Sequence, residues 1–177
     1  MKYEITKEQI ETLVDVSKNA EIRLKEWFPE AFKTGLEVGK WYKTKFVFIN
    51  ITNIDAKGKV YGYGWDLCSE IWHGSDNDDW GVDNAIEATE SEVFEALKNE
   101  AVKRGYEKEN TFVKSIIFDD RKVNLSGSGY DKTNFRLEHN GQFIYNGVTI
   151  FKKGKWAEII ETITKKEAEK LLNKIII

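Results

Sequence analysis

Glycine turns divide the second half of the chain at short intervals. Two Asn-Gly pairs, at 140–141 and 146–147, and a Lys-Gly pair at 153–154 separate short segments rich in β-branched and aromatic residues. Asn-Gly is the strongest local signal for a two-residue β-hairpin, because both residues tolerate the positive φ that the turn requires. The segments around these turns therefore predict an antiparallel meander of about four strands. The predicted strands are 135–138, 142–145, 148–151 and 155–160.

Strand signals also precede this meander. Residues 45–54 are β-branched and aromatic, an Ala-Lys-Gly turn follows, and residues 59–65 alternate apolar with small side chains. This pattern predicts a β-hairpin within 39–66. Two further strand segments around an Asp-Asp turn extend the predicted meander over 111–160.

The clearest helix signal lies in the middle of the chain. Thr89 and Glu92 have the spacing of a capping box, in which each side chain accepts a hydrogen bond from the other residue's backbone N–H. Gly105 stands where the left-handed residue after a helix is expected. These signals predict a helix over 88–105.

Three more helices are predicted from similar signals. Thr164 and Glu167 form a second capping box at the start of a C-terminal helix, 164–175. The N-terminal segment, 1–38, is predicted to hold two short helices, the second of which ends before Pro29. Because the elements do not alternate as βαβ, the predicted architecture is a single α+β domain with an antiparallel sheet and about four helices.

Composition narrows the class of protein. Apolar residues make up 41% of the 177 residues, which is ample for a core and argues against disorder. Cys68 is the only cysteine, so a disulfide-stapled secreted domain is excluded. No run of apolar residues approaches the length of a membrane span, and no signal peptide is recognisable. The sequence predicts a protein of the cytoplasm that does not act at a membrane.

The net charge of −3 conceals an uneven distribution of charge along the chain. Residues 61–102 carry eleven acidic groups and one basic group, whereas 1–60 and 103–177 are both net positive. Carboxylates interleaved with tryptophans suit a partner that normally binds phosphate, because charge speeds encounter and aromatic residues anchor interfaces. The predicted partner is a protein with a basic nucleic-acid-binding surface. The predicted binding residues are Asp66, Glu70, Trp72, Asp76, Asp78, Asp79, Trp80, Asp83 and Glu87.

Three other interpretations of the charged residues stay open. The acidic residues could simply form the solvated face of the helix at 88–105. The late strands could instead bind RNA or DNA, because a basic sheet with aromatic side chains can stack bases. The acidic loop at 76–87 could bind calcium, with Asp76, Asp78 and Glu87 at ligand positions of the calcium-loop pattern. The nucleic-acid-binding residues would be Arg121, Lys122, Arg136, Lys152, Lys153 and Lys155.

The sequence offers little for catalysis. It has two histidines and one cysteine, and its Ser-Gly-Ser-Gly stretch at 126–129 matches neither the P-loop nor the dinucleotide pattern. A zinc site would need about four Cys or His ligands in a suitable arrangement. The sequence therefore predicts a non-enzymatic protein that needs no cofactor.

Three segments carry a resemblance to a known group of proteins. They are the Leu-Lys-Glu-Trp-Phe-Pro-Glu-Ala-Phe stretch at 24–32, the capped helix and its Arg-Gly-Tyr end at 88–106, and the strand pair at 150–160. Together these segments resemble small proteins encoded by phages and prophages. The resemblance implies action in the host cytoplasm by binding host machinery. It suggests an inhibitor of host defence such as an anti-CRISPR protein, directed against a nucleic-acid-handling target such as an RNA-guided CRISPR nuclease.

Overall fold

The computed structural model describes residues 35–74, 79–125 and 134–175. The chain divides into two compact units, Met1–Glu37 and Val38–Ile177, and all described helices and strands lie in the second. The two helices predicted within 1–38 fall outside the described residues, and the single-domain organisation stays a prediction.

Strands dominate the second unit, and each of the strand pairings is antiparallel. The prediction of a largely antiparallel α+β fold is confirmed at this level. The described residues contain two helices rather than about four, both at predicted positions, and neither is long and apolar enough to cross a membrane. In chain order the elements are β1 Trp41–Lys43, β2 Val47–Ile54, β3 Val60–Asp66, β4 Ile71–His73, β5 Asp79–Trp80, β6 Ile86–Glu87, α1 Glu90–Lys103, β7 Thr111–Phe118, β8 Arg121–Asn124, β9 Phe135–Leu137, β10 Phe143–Tyr145, β11 Val148–Lys152, β12 Lys155–Trp156, β13 Glu158–Thr164 and α2 Lys165–Ile175.

The predicted hairpin within 39–66 is confirmed as β2 and β3. Their connecting turn is closed by Asp55, whose carboxylate accepts hydrogen bonds from the backbone N–H groups of Lys57 and Lys59, at 2.8 and 2.9 Å. The hairpin is the centre of a larger sheet with the strand order β4-β3-β2-β1-β6, and β5 also pairs with β3. The sheet therefore carries most of the acidic segment on its outer strands and loops.

The meander predicted over 111–160 is wrong as one sheet. Strands β9 to β12 form a four-stranded sheet in the order β12-β11-β10-β9, but β7 and β8 pair with β13 in a separate three-stranded sheet. The change occurs at Ala157, whose N–H donates to Ile150 while its carbonyl accepts from the buried Tyr106 hydroxyl at 2.9 Å. From Glu158 onward the chain pairs with β7. The predicted strand at 155–160 therefore belongs to two sheets.

One aromatic-rich core joins the three sheets to α1. Leu97 of α1 and Ile116 of β7 are completely buried within it. Tyr63 of β3 packs edge-on against Phe151 of β11, with ring centroids 5.8 Å apart. Burial of this apolar surface is the main source of stability for the fold.

The turn between β11 and β12 is fixed directly to the first sheet. Its Gly154 carbonyl accepts a hydrogen bond from the indole N–H of Trp72 at 3.2 Å. A Cβ at this position would lie 2.9 Å from the Tyr63 ring. Because Gly154 also has a φ of +80°, glycine is required here by both packing and backbone conformation.

Replacing Gly154 by alanine should destabilise the protein more than the same change at Gly58. Both glycines have a φ of +80°, but a Cβ at Gly58 would meet nothing within 4 Å. Gly58→Ala should therefore cost about 1–2 kcal/mol of unfolding free energy for the positive φ. Gly154→Ala should cost about 1–3 kcal/mol more, because the Tyr63 ring must also move. Urea unfolding of the two variants measures the difference, and equal losses would contradict the close contact.

Candidate functional site

The acidic segment is anchored at the start of α1. Thr89 and Glu92 form the predicted capping box, with the Thr89 N–H donating to the Glu92 carboxylate at 3.0 Å and the Glu92 N–H donating to the Thr89 hydroxyl at 3.3 Å. The Lys43 ammonium of β1 also donates to Glu92. This hydrogen bond from Lys43, followed by that of the Thr89 N–H, lowers the pKa of Glu92 from 4.5 to about 2.

The two tryptophans predicted as docking anchors are built into the fold. Trp80 is only 8% exposed, and its indole N–H donates to the Gly62 carbonyl at 3.3 Å. Trp72 is half-buried, holds the Gly154 carbonyl, and packs edge-on against Trp65 with centroids 4.5 Å apart. Trp80 therefore belongs to the core and is not available as a docking anchor, whereas Trp72 is only partly buried and its role as an anchor stays a prediction.

Several of the predicted acidic residues have partners inside the molecule. The Glu87 carboxylate lies 3.1 Å from the Lys40 ammonium, and the Glu70 carboxylate lies 3.6 Å from that of Lys103. Asp66 folds back on its own turn, where it accepts hydrogen bonds from the next residues; the Ser69 side chain, followed by backbone N–H groups, lowers its pKa. The fold thus brings basic residues from outside 61–102 to this segment and offsets part of its charge.

The carboxylate of Glu100 also has partners inside the molecule, and it lies within the core. Its buried carboxylate accepts hydrogen bonds from the Trp65 indole N–H at 3.0 Å and from Arg104 at 2.8 Å. The Arg104 guanidinium in turn lies 5.1 Å from the centre of the Trp156 ring. A buried carboxylate is tolerated because both an ion pair and a neutral donor satisfy it.

Only part of the predicted calcium loop lies within the described residues. Asp76 and Asp78 lie outside the described residues. Glu87, the last predicted ligand, lies on strand β6 and pairs with Lys40, whereas the last ligand of a calcium loop meets the start of a helix. Within the described ranges, no group of three or more His, Cys, Asp or Glu side chains could hold a metal ion.

Two other predicted acidic residues occupy different settings. Asp79 begins the short strand β5, and its side chain lies outside the described part of the structure. Asp83 is exposed in the loop that precedes β6. Of the predicted binding residues that the structure describes, Glu70, Asp83 and Glu87 are exposed acidic side chains that a partner could contact directly.

The fold leaves exposed several apolar side chains that sequence reasoning missed. Phe46, Leu67 and Ile71 are 52%, 45% and 53% exposed, and we call these three residues the β3–β4 patch. The Leu67 N–H donates to the Phe46 carbonyl at 2.7 Å, and Ile71 is the strand partner of Asp66. The three residues therefore lie at one end of β2, β3 and β4. The sequence signal was a pair of apolar residues flanking a polar turn, Leu67 and Ile71.

Carboxylates border the β3–β4 patch. Glu70 lies in the same turn with its side chain 78% exposed, despite its contact with Lys103. Cys68, the only cysteine, is also exposed in this turn. Exposed apolar side chains and an exposed carboxylate thus occur near one another at this end of the sheet, a combination that is common in protein–protein contact surfaces.

The predicted nucleic-acid-binding residues lie in two different sheets. Arg121 and Lys122 lie on β8 of the three-stranded sheet, whereas the others lie in the four-stranded sheet. Arg136 of β9 is paired with Glu138 at 2.6 Å. The three lysines at 152–155 lie together at the β11–β12 turn.

No protein-family model matches the chain, and comparisons with curated proteins and with solved structures also give no match. The resemblance to phage proteins therefore stays a prediction. The geometry of the described surfaces is the basis for assigning a function.

Removing the Glu92 carboxylate should lower stability in a pH-dependent way. The pKa of Glu92 is lower in the folded protein than in the unfolded chain, so its contribution is complete above pH 4.5 and is lost as the pH falls towards about 2. The Tm of Glu92→Gln should therefore lie below that of wild type at neutral pH, and the two should converge under acid. Glu95→Gln, on the exposed side of the same helix, should leave the Tm at neutral pH almost unchanged.

Two tryptophan substitutions should separate packing from hydrogen bonding. Trp65→Phe leaves the buried Glu100 carboxylate without its indole donor. The indole nitrogen of Trp156 is buried without a hydrogen-bond partner among the described residues, so Trp156→Phe breaks no such bond. Trp65→Phe should therefore cost about 1.5–3 kcal/mol more in denaturant unfolding than Trp156→Phe. Equal costs would show that the Trp65–Glu100 hydrogen bond contributes no net stability.

Proposed function

We propose that this protein acts by binding, not catalysis, and that it docks through the β3–β4 patch onto a basic, nucleic-acid-handling protein. The observation that carries the proposal is the exposure of Phe46, Leu67 and Ile71 together at one end of a sheet, beside acidic side chains. Single exposed apolar residues are ordinary in proteins, so the support for docking is that three of them lie close together at one end of the sheet.

The size of the β3–β4 patch suits the centre of an interface. A few residues, often including aromatic ones, contribute most of the binding energy in protein complexes, and polar residues around them exclude water. Phe46 supplies an aromatic ring, and the Lys45 ammonium lies 4.7 Å from its centre. Surrounding polar residues would complete an interface of ordinary size.

The charge of the sequence segment that contains Leu67 and Ile71 favours a basic partner. Residues 61–102 have a large excess of acidic groups, and Glu70, Asp83, Glu90 and Glu95 are exposed. Complementary charge accelerates association and disfavours acidic partners. A surface that normally binds nucleic acid has the required positive charge, which is the chemical argument for the partner class.

The resemblance to phage proteins supports a host protein as the partner and inhibition as the outcome. An inhibitor that covers a basic channel would exclude nucleic acid from it by occupying the same surface. An RNA-guided CRISPR nuclease exposes such channels and is the specific target that we propose, with action in the host cytoplasm.

The test compares binding by patch variants to a purified RNA-guided nuclease. Leu67→Asp and Ile71→Asp place charge in the β3–β4 patch and should each weaken binding by tenfold or more, which is about 1.4 kcal/mol or more. Ile160→Asp is the matched control, because Ile160 is also 45% exposed but lies on β13. Biolayer interferometry with the nuclease immobilised gives the affinities, and nuclease activity on labelled RNA reports inhibition.

Charge reversal provides a second measurement. Glu70→Lys should slow association and reduce its dependence on salt concentration, because the exposed carboxylate contributes to steering. If the aspartate variants bind as tightly as wild type, docking through the β3–β4 patch is wrong. If wild type binds neither this nuclease nor other basic nucleic-acid-binding proteins of the host, the proposed partner class is wrong.

A further inference from the structure

Three lysines are gathered in the turn between β11 and β12. Lys153 and Gly154 form a two-residue connection with φ values of 48° and 80°, and Lys152 is the strand partner of Lys155. Positive φ at both central residues is typical of a type I′ hairpin turn. Lys152, Lys153 and Lys155 are all exposed, and we call them the lysine turn.

The geometry of the turn does not explain a lysine at position 153. The neighbouring β10–β11 turn has nearly the same backbone angles, with φ values of 47° at Asn146 and 82° at Gly147. Asparagine tolerates the left-handed region better than other side chains, because its short amide bonds locally to the backbone. The same protein thus uses the favoured residue in one turn and a disfavoured residue in the other.

The flanking pair is also unfavourable for folding. Lys152 and Lys155 are direct cross-strand partners, whose Cβ atoms are expected about 5 Å apart, and like charges in that position destabilise a hairpin. None of the carboxylates in the described ranges forms an ion pair with the lysine turn. Within the described ranges, the positive charge concentrated here is therefore not offset by an ion pair of the kind seen at Glu70 and Glu87.

The backbone beneath the lysine turn is held rigidly. Gly154 is buried, its carbonyl is bound by the Trp72 indole, and its Cα faces the Tyr63 ring. The following residue, Trp156, packs against Phe151 with centroids 4.8 Å apart. The three lysine side chains thus extend from neighbouring positions on a fixed backbone.

We infer that the lysine turn binds the phosphate backbone of a nucleic-acid strand. Ammonium groups neutralise phosphates as point charges, and adjacent lysines can contact successive phosphates along a strand. None of the described exposed large apolar residues lies in the β11–β12 hairpin, which disfavours insertion into a membrane surface. Recognition by charge alone predicts binding to RNA and DNA without base specificity.

The proposed nucleic-acid site is smaller than the basic surface predicted from the sequence, and it shares no residue with the β3–β4 patch. Arg136 is satisfied by Glu138, and Arg121 and Lys122 belong to another sheet. The site is therefore confined to Lys152, Lys153 and Lys155. Two unfavourable features occur together at this turn. They are the like-charge pair of Lys152 and Lys155 and the positive φ of Lys153.

The experiment measures binding of the full chain to a labelled single-stranded RNA of about 20 nucleotides, a length that exceeds the site of a single small domain. Fluorescence anisotropy at low salt should give a Kd on the order of 10 µM. A DNA strand of the same sequence should bind similarly. Three phosphate contacts predict a slope of about −2 when log K is plotted against log salt concentration.

Two substitutions distinguish a binding role from a structural one. Lys153→Asn restores the residue used at position 146, so it should leave the Tm unchanged or raised while reducing the salt slope by about 0.7. Replacing Lys152 and Lys155 by glutamine as well should abolish measurable binding. Lys57→Gln replaces an exposed lysine in the β2–β3 turn and should bind RNA like wild type.

Defined outcomes would overturn the inference. Equal RNA affinity for wild type and the triple variant, or a loss for Lys57→Gln as large as that for Lys153→Asn, would show that the lysine turn is not the site. Absence of binding to both strands at low salt would also overturn it. If the chain binds vesicles of anionic phospholipid but neither oligonucleotide, the nucleic-acid assignment is wrong. None of these results depends on the nuclease tested for the β3–β4 patch.

Discussion

The hydrogen bond from the Trp72 indole N–H to the Gly154 carbonyl joins the sheet that carries the β3–β4 patch to the turn that carries the three lysines. It fixes a turn of the four-stranded sheet against the first sheet, beneath the Tyr63 ring. The indole N–H is satisfied in a half-buried position, and the glycine permits the close approach. Both the β3–β4 patch and the lysine turn are thereby presented from one packed core.

Charge in this protein is more balanced in space than along the chain. Three glutamates of the segment 61–102 each form an ion pair with a lysine from outside that segment. The lysines are Lys40, Lys43 and Lys103. What remains exposed is a smaller set of carboxylates beside apolar side chains, and a separate set of lysines. The two binding sites proposed above use these two sets of exposed side chains.

Local signals in the sequence predicted local structure well. The capping boxes at Thr89 and Thr164 and the β2–β3 hairpin are formed because their hydrogen bonds join residues a few positions apart. The choice of partner for β13 depends on long-range packing around Ala157, which periodicity does not encode. Sequence reasoning also missed the exposure of Leu67 and the burial of Trp80. Hydrophobicity alone does not specify which apolar residues a fold leaves exposed to solvent.

The pairing of β13 with β7 has a consequence for the order in which the chain folds. The Lys114–Glu161 ion pair on these strands joins residues 47 positions apart, and the whole four-stranded sheet lies between them in sequence. Closing so long a loop loses much chain entropy before any contact forms, whereas hairpins close over a few residues. The hairpins should therefore form first and bring Glu158 to β7, so that completion of the three-stranded sheet is a late step in folding.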